Sequence, residues 1–554
     1  MPSQVGTPCD TSLMRFFNTA GPVVAEMHYC VPPLERLEAD ELLLLIRQWK
    51  YVVLHAPRQT GKTSALLALR DELNSGGEFR CAYVNVEGGQ SAREDVGAAV
   101  RAILSALSRA ARETLDDRFV GEVRLDILDA AGPHDALRET LARWAESSAK
   151  PLVLMIDEID ALIGDTLLAV LRQLRAGYPD RPRRFPQSVI LCGVRDVRDV
   201  RDYRIRSSAE NAIVAGGSAF NVRAKSLRLG DFSAREIESL LAQHTRETGQ
   251  AFTSEAGSAI RELTRGQPWL VNALAYEACF DNRAGRDRSR AITGDAIQDA
   301  REELILRRET HLDQLADKLR EERVRRVVEP LLSGSEAADS IPPDDLQYVR
   351  DLGLITRSGP VAIANPIYRE VIPRDLTWTT QEMSMHHDPA WYVGGDGALR
   401  VGELLAAFQE FFREHSEHWV ERFQYKEAGP QLLLQAFLQR IVNGGGRIER
   451  EYGLGRMRTD LLIVWPPGRG APAQSDTGQT REPQKVVIEC KVLRRGLERT
   501  LREGLEQTRA YMDRSAAAEG HLVVFDRTEG RSWNEKIYRR DEGEGGVPVT
   551  VWGM

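Results

Sequence analysis

The chain lacks most of the features that mark secreted, metal-stapled or membrane proteins. It has six cysteines in 554 residues: Cys9, Cys30, Cys81, Cys192, Cys279 and Cys490. They form no C-x-x-C pair and no zinc-ligand spacing, so neither a disulfide framework nor a zinc site is expected. No apolar run approaches the ~20 residues that a membrane-spanning helix needs. No basic stretch followed by an apolar one opens the chain, so the expectation is no signal peptide, no membrane partner and a cytoplasmic location. A dominant charge of one sign is missing as well. The net charge is −8, so contact with nucleic acid would have to come from local basic patches. Apolar residues at 42% and charged residues at 28% are ordinary for globular proteins. A chain of 554 residues exceeds one hydrophobic core, and three or more domains are expected.

What is present centres on His55-Ala56-Pro57-Arg58-Gln59-Thr60-Gly61-Lys62-Thr63-Ser64. The apolar run Tyr51–Leu54 precedes it, and Ala65–Leu69 follows in helical pattern. Strand, tight loop and helix in that order form a phosphate-binding loop, with alanine at 56 where the pattern has its first glycine. Its amides and the positive end of the following helix make an anion site. Lys62 is expected to reach the β- and γ-phosphates of ATP, and the Thr63 hydroxyl to ligate Mg²⁺.

Further apolar runs predict parallel strands at 81–86, 152–156 and 188–193, separated by helical stretches at 91–113 and 134–148. With the strand at 51–54 they indicate a doubly wound parallel sheet. Ligands of such sheets gather at the carboxyl ends of the strands. Asp157-Glu158-Ile159-Asp160 lies at one of these ends. Asp157 is expected to hold Mg²⁺ through water, and Glu158 to orient the attacking water. Arg195 ends the next strand. It is either a sensor of the γ-phosphate or part of the solvated Val-Arg-Asp repeat at 195–206.

Helices at 234–247, 253–264 and 268–279 follow, with Ser233 as the first N-cap and Pro268 in a first turn. Gly266-Gln267-Pro268 is a good helix start or the entry of a lid helix beside the nucleotide. Residues 320–375 read as helix, helix and a hairpin at 355–363, a winged-helix pattern. It serves packing or DNA contact, and its acidic second helix speaks for packing. His386-His387 lie in a linker and have no partner ligands nearby.

The C-terminal part reads as a helix at 399–416, an amphipathic helix at 431–442, strands at 447–452, 458–465 and 485–491, a helix at 495–513 and a strand at 521–525. Asp460 opens one strand, while Glu489 and Lys491 close the next on one face. Carboxylates on adjacent strands hold Mg²⁺ with open positions for water and phosphate. Lys491 is placed to stabilise developing negative charge. Glu427 is a candidate to complete the metal shell, and Gln507 and Tyr511 share one helix face. The alternative is a set of solvated strand-end charges. Pro466–Gln484 is an insertion rich in proline, glycine, serine and glutamine.

Two resemblances rest on these residues. The stretch from about 20 to 375 resembles AAA-like ATPases related to the STAND and origin-recognition branches. The match rests on Ala56–Thr63, Asp157–Asp160, Gly193–Arg195, Gly266–Pro268 and the winged-helix pattern. The stretch from about 400 to 554 resembles the PD-(D/E)xK nuclease superfamily, through Arg458-Thr459-Asp460, Ile488-Glu489-Cys490-Lys491 and Gln507-x-x-x-Tyr511. The first implies a nucleotide-driven switch and the second Mg²⁺-dependent phosphodiester cleavage. An arginine finger has no motif here, and Arg204, Arg206 and Arg223 are the candidates.

The expected layout is a lead-in at 1–48, a P-loop ATPase core at 49–230, a helical lid at 231–310, a winged helix at 311–375, a linker at 376–398 and a restriction-endonuclease-like α/β domain at 399–554. The phosphate loop, Ala56 through Ser64, with Asp157 and Arg195, would bind ATP. Mg²⁺ would lie at Thr63 and Asp157, and again at Asp460, Glu489 and Glu427. The expected partners are nucleic acid, DNA before RNA, and further copies of the chain. The rival reading is an ATP-dependent switch or scaffold whose C-terminal fold binds without cutting.

Overall fold

Three apolar runs that no charge interrupts become strands buried along nearly their whole length. They are β3 (Tyr51–His55), β5 (Leu152–Asp157) and β6 (Ser188–Gly193). The computed structural model describes residues 14–194, 223–307, 318–319, 321–333, 341–372, 392–394, 396–422, 434, 437–438, 447–454, 457–466, 482–493, 496–526, 528, 530–543 and 548–554. With β4 (Arg80–Asn85) and β7 (Arg223–Arg228) the three strands form a parallel sheet in the order β4-β5-β6-β3-β7. A lead-in pair, β1 (Phe16–Phe17) and β2 (His28–Tyr29), is separate.

The strands alternate between two apolar layers, as a sheet covered on both faces requires. Tyr51, Val53, Leu154, Ile156 and Leu191 join a core with α3 (Val96–Leu115), α4 (Phe119–Ala131), α5 (Ala136–Ser147) and α6 (Gly164–Ala176). Val52, Leu54, Val153, Met155 and Cys192 join the opposite core with α1 (Ala39–Arg47) and α2 (Lys62–Ser75). α4 was not read from the sequence, because Gly121, Glu122, Asp126 and Asp129 break its apolar pattern. β7, with the sequence Arg-Ala-Lys-Ser-Leu-Arg, has no apolar run to announce it.

Three helices follow the sheet: α7 (Ala234–Thr248), α8 (Ser254–Thr264) and α9 (Pro268–Tyr276). Ser233 and Glu236 close a reciprocal capping box, and Pro268 takes the first turn of α9, both as expected. α10 (Gly294–Arg307) and α12 (Pro343–Asp351) lie on either side of α11 (Glu322–Ser333) in sequence. After α12 a narrow hairpin is closed by an Ile355–Ile363 bridge and by Thr356 N–H donating to Ala362 O at 2.7 Å.

Contacts divide the chain into two compact units, Met1–His311 with Pro342–Ile367, and Leu312–Ile341 with Tyr368–Met554. The second unit holds a mixed sheet in the order β12-β13-β11-β10-β9-β8. Its strands are β8 (Arg447–Leu454), β9 (Met457–Trp465), β10 (Gln484–Val492), β11 (Glu519–Phe525), β12 (Tyr538–Glu542) and β13 (Val549–Gly553). One face packs on α13 (Val401–Arg422) through Leu405, Phe408, Ile463, Ile488 and Val523. The other packs on α14 (Leu497–Ser515) through Leu462, Val487, Leu501, Tyr511 and Leu522. Most of the helix expected at 431–442 lies outside the described residues, although Leu434 and Leu438 are buried. No described helix is long and apolar enough to cross a membrane.

Candidate nucleotide and metal sites

The loop between β3 and α2 has two of its carbonyls occupied from within. The Lys62 ammonium donates to Ala56 O and Pro57 O, both at 3.0 Å, and the Thr60 hydroxyl donates to Pro57 O at 2.9 Å. With those carbonyls held by the side chains, the loop presents an anion-accepting concavity at the N-terminus of α2. Gln59 (φ 57°) and Gly61 (φ 92°) take the left-handed turns, whereas Ala56 is not among the residues of positive φ. The position where the pattern has glycine therefore needs none here, and the Ala56 methyl is buried. Arg58 and Gln59 stay exposed.

Asp157 is fully buried at the carboxyl end of β5. It accepts from the Thr63 hydroxyl at 2.8 Å, from the Tyr83 hydroxyl at 2.9 Å and from Glu158 N–H at 3.0 Å. A threonine hydroxyl and a carboxylate in contact are hard oxygen donors at one point, the donor chemistry that Mg²⁺ takes. Tyr83 was not anticipated. It sits on β4, one strand over, and only the pairing of β4 with β5 brings it to Asp157. Burial and the neighbouring Asp157 carboxylate push its phenol well above the usual range.

Glu158 follows in the left-handed region at φ 56°. A non-glycine residue held there stores about 1 kcal/mol or more of strain and is common at functional sites. Burial raises its carboxyl above the ordinary glutamate value, with Asp160 and Asp157 adding to the rise and Lys62 and Arg58 opposing it. Asp160 turns to β6 and accepts from Val194 N–H at 3.1 Å. Arg195, Arg204 and Arg206 lie outside the described residues, as does the side chain of Arg223.

Beside the loop, a cavity of about 130 Å³ is lined by Tyr29, Val31, Arg36, Gly61, Phe232, Trp269 and Asn272, among others. The lead-in therefore lies against the nucleotide loop. Val23 N–H donates to the Ser64 hydroxyl at 3.0 Å, and the Trp269 indole donates to Thr19 O at 2.9 Å. The turn at Gly266-Gln267-Pro268 brings α9 to this cavity. The α12 hairpin also reaches the loop: a Cβ at Gly353 would stand 2.6 Å from Pro57 Cγ. Arg228, at the end of β7, donates to Arg350 O at 3.1 Å.

In the second unit Glu489 is buried in β10, and the Lys491 ammonium donates to its Oε1 at 2.7 Å. Both positions share the sheet face of Val487, which α14 covers with the buried Tyr511. Gln507, on the same helix, has its Oε1 buried. The antiparallel register of β10 with β9 pairs Ile488 with Leu461. The pairing ends there, at the residues next to Asp460 and Glu489. The Asp460 side chain and the whole of Glu427 lie outside the described residues. Among the described residues no group of three or more histidine, cysteine, aspartate or glutamate side chains is placed to hold a metal.

Residues 46–200 match the family model described as AAA domain. No curated protein matches the chain. Among solved structures, the Walker-type ATPase of Pyrococcus abyssi aligns over 64% of this chain and 99% of its own, at 14% identity and a TM-score of 0.44. Cdc6p from Pyrobaculum aerophilum aligns over 63% and 95%, at 14% identity and a TM-score of 0.35. The RuvB Holliday junction branch migration motor of Thermotoga maritima aligns over 60% and 92%, at 13% identity and a TM-score of 0.31. The matched stretch, which carries the phosphate loop and Asp157, is an AAA-type P-loop ATPase domain.

Proposed function

We propose that the chain is an ATP-hydrolysing switch in which the first unit controls Mg²⁺-dependent cleavage of nucleic acid by the second. The observation that carries the ATPase half is the 2.8 Å contact between Thr63 and Asp157, directly beside a phosphate loop. The phosphates of ATP lie over the loop amides. Lys62 exchanges the carbonyls of Ala56 and Pro57 for phosphate oxygens. Glu158, at the end of β5, orients water for in-line attack. Mg²⁺ bound at Thr63 and Asp157 would neutralise the charge that develops on the phosphates.

The nuclease half rests on the Glu489–Lys491 pair and on a β9–β10 pairing that runs to Leu461 and Ile488, the residues next to Asp460 and Glu489. Asp460, Glu489 and Glu427 would share the metal, and Lys491 would stabilise the leaving charge. Resemblance favours DNA over RNA as the polymer. A second reading is favoured by the Lys491 ammonium already pairing with Glu489 Oε1 at 2.7 Å, an arrangement that also serves a purely structural strand end. In that reading the second unit binds nucleic acid or protein without cutting it.

Two substitutions test the halves separately. Lys62→Ala should lower ATP turnover by at least about a hundredfold, measured as phosphate release; unchanged turnover removes the loop assignment. The paired change Glu489→Ala with Lys491→Ala should abolish cutting on a panel of single- and double-stranded DNA and RNA with Mg²⁺ or Mn²⁺. Equal cutting by wild type and variant removes Glu489 and Lys491 from the chemistry, and no cutting by either leaves the switch-and-scaffold reading.

A further inference from the structure

Arg36 ends the short turn Pro33–Arg36 in the lead-in and is distant in sequence from everything it holds. Its Nη1 donates to Thr60 O at 2.7 Å and its Nη2 to Gly230 O at 2.6 Å. Its guanidinium lies 4.6 Å from the centre of the Phe232 ring. Gly61 leaves room for it, since a Cβ there would stand 2.8 Å from Nη1. Burial lowers the group to about 10, with Glu236 and Asp231 opposing, so it remains a cation at neutral pH.

Thr60 C=O and Gly61 N–H belong to one planar trans peptide and point in opposite directions. A donor that fixes the carbonyl on the lead-in side therefore fixes the amide on the other side. Gly61 is the N-cap of α2, where unpaired amides gather. Gly230 is the last residue but three before α7, at the root of the lid. A guanidinium can bridge two carbonyls with separate, rigidly related donors, which an ammonium on a flexible stem does less well.

We propose that Arg36 is a positioning residue that presents the Gly61 amide to the phosphates and ties that orientation to the root of the lid. This rests on the reading of Ala56–Thr63 as the nucleotide loop. Arg36 acts on phosphate binding from behind the loop, without serving as a ligand of its own. It also makes one side chain common to the loop and the lid, so a shift of Gly230 is transmitted to Thr60.

The test uses the full chain with Arg36→Lys, Arg36→Ala and Lys62→Ala, and measures affinity for ADP with Mg²⁺, affinity for adenosine, turnover and the ligand-free melting midpoint. Arg36→Lys should weaken ADP about tenfold or more, since directional charge-assisted bonds are lost. It should raise KM more than it lowers kcat, leave adenosine affinity unchanged and melt within a few degrees of wild type. Arg36→Ala should show the same pattern more strongly. Arg36→Lys binding ADP as wild type does overturns the proposal, because charge alone would then suffice. An equal loss for adenosine also overturns it, by placing Arg36 on the nucleoside. So does a fall in ligand-free melting with no change in ADP affinity, which is a structural role only. If Lys62→Ala leaves ADP affinity intact, the loop assignment itself fails, and the proposal with it.

Discussion

At the scale of single residues, Glu158 joins a strained backbone to a shifted carboxyl. Its pKa is raised by burial, by Asp160 and by Asp157, and the role proposed for it, orienting water, requires the ionised form. ATP turnover should therefore fall on the acid side with a midpoint above the ~4.3 of an ordinary glutamate, as a pH–rate profile would show. The sign for stability is the reverse. A carboxyl raised on folding favours the folded state below its unfolded value and loses that contribution as pH rises through the folded value. Glu158→Gln should therefore melt no lower than wild type at neutral pH. It should lose turnover by about 10²–10⁴-fold while still binding ATP. A variant that turns over normally would take Glu158 out of the chemistry. The meeting of Thr63 with Asp157, and the place of Glu158 at the strand end, were legible in the sequence because each sits in a motif beside an apolar strand. Tyr83 and Arg36 were not. Each acts on a residue far away in sequence, and only strand order or lead-in packing brings them together.

At the scale of elements, what could be read was what was buried. β3, β5 and β6 announce themselves because both faces are covered, so no polar residue interrupts them. β7 and β12 lie at sheet edges and carry Arg-Ala-Lys-Ser-Leu-Arg and Tyr-Arg-Arg-Asp-Glu, whose charges conceal a strand and guard its open side. The α12 hairpin was anticipated as a wing, but its place beside the phosphate loop was not. Gly353, at φ 77° and with Pro57 Cγ 2.6 Å from its absent Cβ, makes that approach possible. Gly353→Val should destabilise the first unit by roughly 1–2 kcal/mol from backbone strain alone. It should also weaken ADP by displacing Pro57. A variant with unaltered melting and unaltered ADP affinity would show that the contact bears no weight.

At the scale of the whole molecule, the two units are built on different sheets, one parallel and one mixed. Completion of the nucleotide site by a neighbouring copy has a direct kinetic readout. If a neighbouring copy completes the site, turnover per chain should rise steeply with protein concentration and then level off. Turnover per chain that stays constant with concentration would assign the whole ATPase site to one chain. Control of the second unit by the first should appear as nucleic-acid cutting that responds to ATP in wild type and ceases to respond in Lys62→Ala. Cutting that responds equally in both would uncouple the two.

The strand order also sets when the nucleotide site can first exist. β3 lies between β6 and β7, so Val52 waits for partners at Ile190 and Lys225. Gly230, which Arg36 also needs, comes later still. At a synthesis rate of about 5–20 residues per second, roughly 10–35 s pass after the loop is made before both neighbours of β3 exist. During that interval ATP has nothing to hold. The nucleotide can act as a folding ligand only once β7 has emerged, and the first half of the domain must avoid aggregation without it.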